Sequence, residues 1–594
     1  MDYQKITSYQ SLKSICRQCA EIGPTALDFE TTSLSPKDGK VRLVSLCNKR
    51  VKVVVDFDAI GGGFRNCAKL FSKGKWIVFN VGFEARWFLD AKQQPELLDV
   101  GNLRRAIIGG GSFSLANLVQ WDLKKEMSKE QQASNWAAPT LSQEQLDYAY
   151  KDAELTYELW KHWEAEADEG RWAGFRLLND MHQAVIEMED AGMLVDKQTH
   201  RKLIELWHQE KQNRVKSIRE LVTQAEVSNI NSDSQWSDYF AKTMPEKFLR
   251  GWTKTEKTGQ LSMTTETLKR LAGMVPGTPL ETFFDALSEY KTINKYINSF
   301  GENIINAANL NGGRIQARFN IGYARTCRFS SSGPNLQQIP RDKELLGKAT
   351  SVRSSFIAGV GRKLVSLDYS GIELRVLALL SGDEQLLDDV VNGDVHSEVA
   401  SVMAGRKIDK SKPADKALRS KAKGVSFGII YGSGANGLSA TMRVPTDKAQ
   451  DYIDYWSTRY AKAFNYRFKM MDEAAKTRFI RMVDGGTIYM GKNPDLPKCA
   501  NYPVQRAALS IMARALIRHR ASLVAERASG GQRMSRMLAT IHDAIIDEAS
   551  SRDAPNLLEI MHNDMIEGYL DVFPGTPTNN LVEGGLGDNW GELG

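Results

Sequence analysis

Cysteine is scarce. Six residues spread over 594 cannot knit a disulfide framework, so a reducing compartment, the cytoplasm, is expected. Cys16 and Cys19 form a C-x2-C pair, but no second pair and no pair of histidines follows at the spacing of a zinc site, which argues against zinc or redox chemistry. Long apolar runs are missing as well. No stretch approaches the ~20 residues that span a bilayer, and the opening MDYQKITSYQ lacks the basic-then-apolar layout of a secretion signal. No membrane partner is expected. Excess charge of one sign is also small: 78 Lys and Arg against 72 Asp and Glu leave a net +6. A nucleic-acid partner would therefore need its positive groups gathered in a cleft. Internal repeats and long low-complexity tracts are absent. What remains is an ordinary globular composition, 42% hydrophobic and 25% charged, long enough for about four domains.

Within it, RSKAKGVSFGIIYGSGA at 419–435 concentrates chemistry. On a helix over 419–430, Arg419, Lys423, Phe427 and Tyr431 recur every fourth residue and drift only ~40° per step along one face. Two cations are followed by two rings, the second at a glycine-rich end. That order suits a ligand with phosphates at one end and a flat base at the other: arginine offers a planar fork, lysine a compact charge and a proton. An amphipathic helix with solvated cations would show the same spacing.

The first third predicts an α/β domain with a mixed sheet. TALDFE, VRLVSLCN and VKVVVDF read as successive strands, followed by a helical segment near 64–71 and the strand WIVFN at 76–80. Asp28 and Glu30 lie two apart on the first of these strands and project from one face. Two such carboxylates repel unless a cation joins them, and a divalent metal is the usual partner. A solvated edge strand is the alternative. Tyr148 and Asp152 lie one helical turn apart, placing a phenol beside a carboxylate. From about 175 the pattern turns to long helices. Residues 225–265 are polar and poor in periodicity, and KTEKTGQLSMTTE at 254–266 reads as a basic, mobile loop, suited either to duplex phosphates or to solvent alone.

Together with LVSLDYSGIELR at 364–375 and ATIHDAIID at 539–547, the 419–435 stretch resembles motifs A, B and C of the family A DNA polymerases, the DNA polymerase I family, in the right order and at plausible spacing. The helix fits R-x3-K-x3-F-x3-Y-G through Gly432. DFETTSL at 28–34, FNVGFEARWFL at 79–89 and YAYKDAELTYELW at 148–160 resemble the three motifs of the DEDD-type 3′→5′ exonucleases. RTCRFSSSGPNLQQIPR at 325–341 resembles T-G-R-L-S-S…N-L-Q-N-I-P with Cys327 in place of glycine, and NYPVQRAALSI at 501–511 matches N-x-P-x-Q. GDVHSEVA at 393–400 resembles the segment that opens the fingers.

The resemblance implies a multidomain α/β and α+β chain: a ribonuclease H-like exonuclease domain (1–165), then a right-hand polymerase domain with thumb (166–312), first part of the palm (313–392), fingers (393–500) and second part of the palm (501–594). It implies a template-directed DNA polymerase that extends a primer with dNTPs and proofreads, replicating a phage-like genome. Two Mg2+ ions per site, replaceable by Mn2+, are the implied cofactors. Primer-template DNA and dNTPs are the implied partners of a monomer, with no insert for a processivity factor. By the same carry-over Asp28, Glu30 and Asp152 hold metal while Tyr148 orients water. Glu84 stands where the family has aspartate, one methylene longer. Asp368, the Tyr369 carbonyl and Asp543 hold the polymerase metals. Arg419 and Lys423 meet the triphosphate with His396 nearby, and Phe427 and Tyr431 meet sugar and base. Glu373 crowds the sugar 2′ position. Arg328, Asn335, Gln337, Asn501, Gln505 and His542 contact the duplex. Where the family follows Asp543 with glutamate, this chain has Ala544, and Asp547 is ~13 Å further along an extended strand. Continuation to GLGDNW at 585–590 suggests a chain complete at this end, with no room in front for a 5′-nuclease domain. A nuclease whose polymerase half only binds, and a strand-binding protein with decayed sites, are the competing expectations.

Overall fold

The computed structural model describes residues 2–593 except 129, 256, 341–343, 346–347, 350, 443 and 529–534, with backbone alone at 344–345, 348–349 and 440–441. Glu256 of the 254–266 segment and Arg341 of the 325–341 motif lie outside the described residues.

Six strands build the N-terminal sheet: β1 (Gln4–Ile6), β2 (Thr25–Thr31), β3 (Val41–Cys47), β4 (Lys52–Asp56), β5 (Lys75–Val78) and β6 (Glu96–Asp99). Their order is β1-β4-β3-β2-β5-β6. β2 and β4 run antiparallel to β3, while β1–β4, β2–β5 and β5–β6 are parallel, so the sheet is mixed as predicted. β1 and β6, too short to show a period, are additions to the expected set. Alternation along β2 decides which residues meet. Leu27 and Phe29 join the core with Leu12, Phe64 and Phe88. Ala26 faces the opposite core, with Leu146, Ala149 and Leu155 of the helix Gln143–Glu166. Asp28 and Glu30 share the Ala26 side, and so look toward that helix. Its start is fixed by a capping box between Ser142 and Gln145.

Two long helices, Lys197–Leu221 and Pro279–Phe300, pack against each other. At their far end Trp236, Phe240, Trp252, Leu261, Met263, Phe283 and Phe284 form a separate small core. This corrects the expectation for 225–265, which folds into the helices Asp233–Thr243 and Glu246–Leu249. Within the segment read as a loop, Lys254 and Leu261 form an antiparallel bridge and the Trp252 indole donates to the Ser262 carbonyl at 2.9 Å. Scattered aromatic residues, rather than a regular period, supply its buried face.

The C-terminal half is organised on a four-stranded antiparallel sheet in the order Arg536–Ile541, Ala544–Ser550, Arg362–Tyr369, Val582–Gly587. The helices Leu496–Ala528 and Ala554–Leu570 pack on each other, and the second also on the sheet. Between the strand Arg362–Tyr369 and this helical layer the chain makes a mainly helical excursion that includes Val395–Ala404, Pro413–Ile430, Thr446–Arg459 and Ala461–Thr477 and ends in the antiparallel strand pair Phe479–Arg481 and Thr487–Tyr489. Among the described residues no helix is long and apolar enough to cross a membrane.

Candidate active sites

In the N-terminal unit one oxygen each of Asp28, Glu30 and Asp152 lies within 4.8 Å of the other two. Asp28 and Glu30 come from one face of β2; Asp152 comes from the helix that covers it. Without a cation the three oppose one another. Burial, then the neighbouring Asp152, pushes the Asp28 carboxyl well up. Burial, Asp28 and Asp152 push Glu30 up to about 10. Burial carries Asp152 to about 7, partly offset by the hydrogen bond with Tyr148. The Tyr148 phenol is itself pushed up, by burial and by all three carboxylates. Glu84, on the helix Gly82–Asp90, is outside the triangle but close enough to feel Asp28, and it is raised chiefly by burial. Glu84 Oε2 and Asp152 Oδ1 are buried with no hydrogen-bond partner. Orphaned, mutually repelling carboxylate oxygens fit a divalent cation, which would satisfy and neutralise them together. Asp90, the last residue of the helix that carries Glu84, pairs with Arg65 at 2.6 Å.

The second cluster stands at one end of the C-terminal sheet. Asp368 is opposite Ala544 in the ladder, and the Tyr369 amide donates to the Asp543 carbonyl at 3.1 Å, so the two aspartates occupy neighbouring strand ends. The turn between the strands is made by His542, in the left-handed region at φ 55°, and Asp543. The Tyr369 side chain points away, its hydroxyl donating to the Met565 carbonyl at 2.6 Å. A pocket of about 230 Å³ beside this turn is lined by Arg328, Phe329, Gln337, Glu373, Leu509, Met512, His542 and Asp543. Glu373 is clasped from two sides, accepting from the Arg328 guanidinium and from the Tyr431 hydroxyl.

The predicted helix is present as Pro413–Ile430, with Tyr431 at its C-cap. Lys423 Nζ lies 5.8 Å from the centre of the Phe427 ring, and that ring is 5.8 Å from Tyr431 and 5.9 Å from His396. Burial and the cations Arg419 and Lys423 push His396 down to about 4, leaving a neutral imidazole whose Nδ1 has no partner. Arg419 is held by Asp394 through bonds of 2.7 and 3.1 Å, and Lys410 shares that carboxylate. The sequence pattern passed over Asp394; its position two residues before His396, capping the helix Val395–Ala404, was the available signal.

The remaining candidates flank this ring. Asn335 caps the short turn Leu336–Gln338, accepting from the Gln337 amide at 3.1 Å, while Gln337 itself lines the pocket. Gln505 accepts from the Thr326 hydroxyl at 3.1 Å; Asn501, one turn earlier on the same helix, keeps a buried Oδ1 without a partner. Cys327 takes up a left-handed backbone at φ 63°, the geometry that favours the glycine it replaces. Asp547 is turned away from Asp543 and fully buried against His519, at 2.9 Å.

Comparison with known proteins adds relatives to this geometry. A family model for DNA polymerase family A matches residues 197–592, and one for 3′-5′ exonuclease matches residues 3–168. The chain is 32% identical over 351 residues to the thermostable DNA polymerase I of Thermus aquaticus, covering 57% of this chain and 39% of that one. It is 31% identical over 320 residues to DNA polymerase I of Pseudomonas aeruginosa, covering 52% and 33%. With DNA polymerase I of Rhizobium leguminosarum it shares 29% over 433 residues, 70% and 41% of the two chains. The chain thus spans no more than about two fifths of the length of these relatives. Its fold is similar, at a TM-score of 0.79 and 20% identity over 99% of both chains, to the POL domain of Pol1 from M. smegmatis, solved in complex with DNA primer-template and dNTP.

Proposed function

This chain belongs to DNA polymerase family A and carries a 3′-5′ exonuclease domain, and from that premise we propose that it is a template-directed, metal-dependent DNA polymerase that proofreads its own product. One observation carries the polymerase assignment: Asp368 and Asp543, far apart in sequence, stand on neighbouring strand ends beside a pocket that also holds Arg328, Glu373 and His542. In this reading residues 1–165 are the exonuclease domain, 166–312 the thumb, 313–392 and 501–594 the palm, and 393–500 the fingers.

Asp368, Asp543 and the Tyr369 carbonyl would hold two Mg2+, an ion that takes one or two carboxylates and completes its shell with water and substrate phosphate; Asp28, Glu30, Asp152 and Glu84 would hold the exonuclease pair. Bound there, such ions lower the pKa of an attacking hydroxyl or water and offset charge on the phosphate in flight. The protein's own groups do the rest. Lys423 neutralises the departing pyrophosphate and can return a proton to it, while Arg419, braced by Asp394, addresses the same phosphates. His396, neutral, adds a hydrogen-bonding nitrogen without further charge. Phe427 lies under the sugar, and Glu373, immobilised by Arg328 and Tyr431, fills the space a 2′-hydroxyl would need. In the exonuclease half the Tyr148 hydroxyl orients the attacking water beside Asp152.

The assay is primer extension on a primed template with all four dNTPs, with and without Mg2+, repeated without nucleotides to follow 3′-end degradation. Extension and degradation that both need the metal are expected. Degradation alone would mean a nuclease with a binding-only polymerase half, and neither would leave a strand-binding protein.

A further inference from the structure

The helix Val100–Ile108 of the exonuclease domain ends in three glycines, residues 109–111, which run alongside the chain leading into the polymerase pocket. The Gly110 amide donates to the Arg325 carbonyl at 2.9 Å and the Gly111 amide to the Gly322 carbonyl at 2.8 Å. Arg325 answers with its guanidinium, 3.4 Å from the Gly110 carbonyl and 2.6 Å from that of Tyr489. Two backbones touch here with no side chain between them: a Cβ on Gly110 would stand 1.8 Å from the Ala324 carbonyl oxygen and 2.6 Å from that of Gly322. Neither neighbour can yield by rotating a side chain, since both are main chain.

The crowded Ala324 oxygen has a further role. It accepts the Cys327 amide at 2.8 Å, closing the turn in which Cys327 is left-handed. On one side of that turn Thr326 reaches Gln505; immediately after it Arg328 clasps Glu373, which also holds Tyr431. A continuous path of hydrogen bonds and close contacts therefore leads from an exonuclease-domain backbone to the carboxylate beside the sugar pocket.

We infer that Gly110 of the exonuclease domain is a positioning element of the polymerase site, its backbone fixing the Ala324–Cys327 turn and through it the Arg328–Glu373–Tyr431 clasp that sorts nucleotides by their sugar. The exonuclease domain is then a structural part of sugar selection as well as a separate nuclease. This rests on the proposed function, in which Glu373 excludes the 2′-hydroxyl. The helix that precedes the joint also packs on Gln143–Glu166, which carries Tyr148 and Asp152, so degradation is measured beside extension.

The test compares full-length wild type, Gly110→Ala, Gly111→Ala and Arg325→Met, measuring kcat and KM for a dNTP and its matched rNTP on one primer-template, and single-strand degradation alongside. In Gly110→Ala the added methyl forces the 322–325 backbone away by an ångström or more. Displacements of that size cost about ten- to a hundredfold. The expected result is a loss of about tenfold in dNTP kcat/KM, mainly through KM, a deoxy-to-ribo preference reduced at least about threefold, and unchanged degradation. Gly111→Ala, whose Cβ would meet only Phe113 at 3.8 Å, should match wild type. Arg325→Met loosens the joint without a clash, and its expected effect is smaller in the same direction; weaker DNA binding cancels in the sugar ratio. An unchanged preference in Gly110→Ala, or an equal loss in Gly111→Ala, overturns the inference. If Gly110→Ala also loses degradation, Arg325→Met decides: a narrowed preference supports the joint and an unchanged one overturns it. Wild type that fails to extend primers would instead remove the proposed function on which the inference stands.

Discussion

The two carboxylate centres are built in opposite ways. In the exonuclease half three acids converge from two adjoining elements, with Glu84 added behind, and in the absence of cations they hold protons well above the usual carboxylate range. The centre is assembled by local sheet-and-helix packing, and its electrostatic strain awaits an ion. In the polymerase half Asp543 lines the pocket and Asp368 stands on the neighbouring strand end. The third nearby acid, Glu373, is already neutralised by Arg328 and hydrogen-bonded by Tyr431, and Asp547 is drawn off to His519. One centre gathers mutually repelling carboxylates; the other pairs its neighbouring acids Glu373 and Asp547 with protein partners. The first should therefore be the more sensitive to metal and proton concentration, the second to the shape of its substrate.

The sharpest way to break this comparison is to remove ligands. Asp543→Asn should cut primer extension by about three orders of magnitude or more, since electrostatic stabilisation carries most of phosphoryl transfer, while 3′-end degradation persists. Asp28→Ala with Glu30→Ala should do the converse. Single-turnover rates on one labelled substrate measure both, and a variant that loses both activities would show that the centres are not independent.

Substrate shape is tested at Phe427. A bare ring offers no donor to the pyrophosphate oxygen that the nucleotide's own 3′-hydroxyl must satisfy. A dideoxynucleotide leaves that charged acceptor unpaired, at a cost of about 1.5–3 kcal/mol. Phe427→Tyr should supply the donor and reduce discrimination against dideoxynucleotides about ten- to a hundredfold, read as the ratio of kcat/KM values. An unchanged ratio would mean that the ring does not face the sugar.

Protons sharpen the contrast further. Asp152 sits at about 7 and Glu30 at about 10 without metal, so ion binding in the exonuclease centre must expel protons. The Mg2+ concentration for half-maximal degradation should rise as pH falls below about 10, by up to about tenfold per unit while Glu30 alone is protonated and more steeply below about 7, where Asp152 is protonated too. Extension should shift less. Parallel metal titrations at pH 6.5 and 8.5 decide this, and equal shifts would contradict the mutual repulsion.

The smallest effect lies beneath the polymerase sheet. Burial alone would lower His519, but Asp547 and Asp564, at 2.9 and 2.8 Å, raise it from 6.5 to about 9. A cation with a raised folded pKa stabilises fully below 6.5 and loses that contribution as pH climbs through about 9. The melting temperature should fall by a few degrees across that window, at about 1 °C per kcal/mol for a unit of roughly 400 residues. His519→Gln should flatten the dependence.

The strands of the first third were legible as short runs rich in Val and Leu separated by turn residues; with cores on both faces of the sheet, β3 is buried throughout and shows no alternation. The 419–431 face was legible because a four-residue repeat nearly matches the helical turn. The helices within 225–265 were not, because Trp236, Phe240 and Trp252 bury large surfaces without a regular period. β1 and β6, three and four residues long, exist as strands only because neighbouring strands accept their hydrogen bonds.

By itself the sequence determined which chemistry each segment could carry: carboxylates on one face of a strand, cations and rings on one face of a helix, a phenol one turn from an acid. Only the tertiary structure decided the partnerships. It set Asp368 against the Asp543 turn, gave Glu373 to Arg328 and Tyr431, buried Asp547 on His519, and laid the 109–111 backbone on Ala324. Periodicity records which side of an element a residue occupies. Which other element covers that side depends on loop closure and close packing over the whole chain, and neither leaves a local pattern.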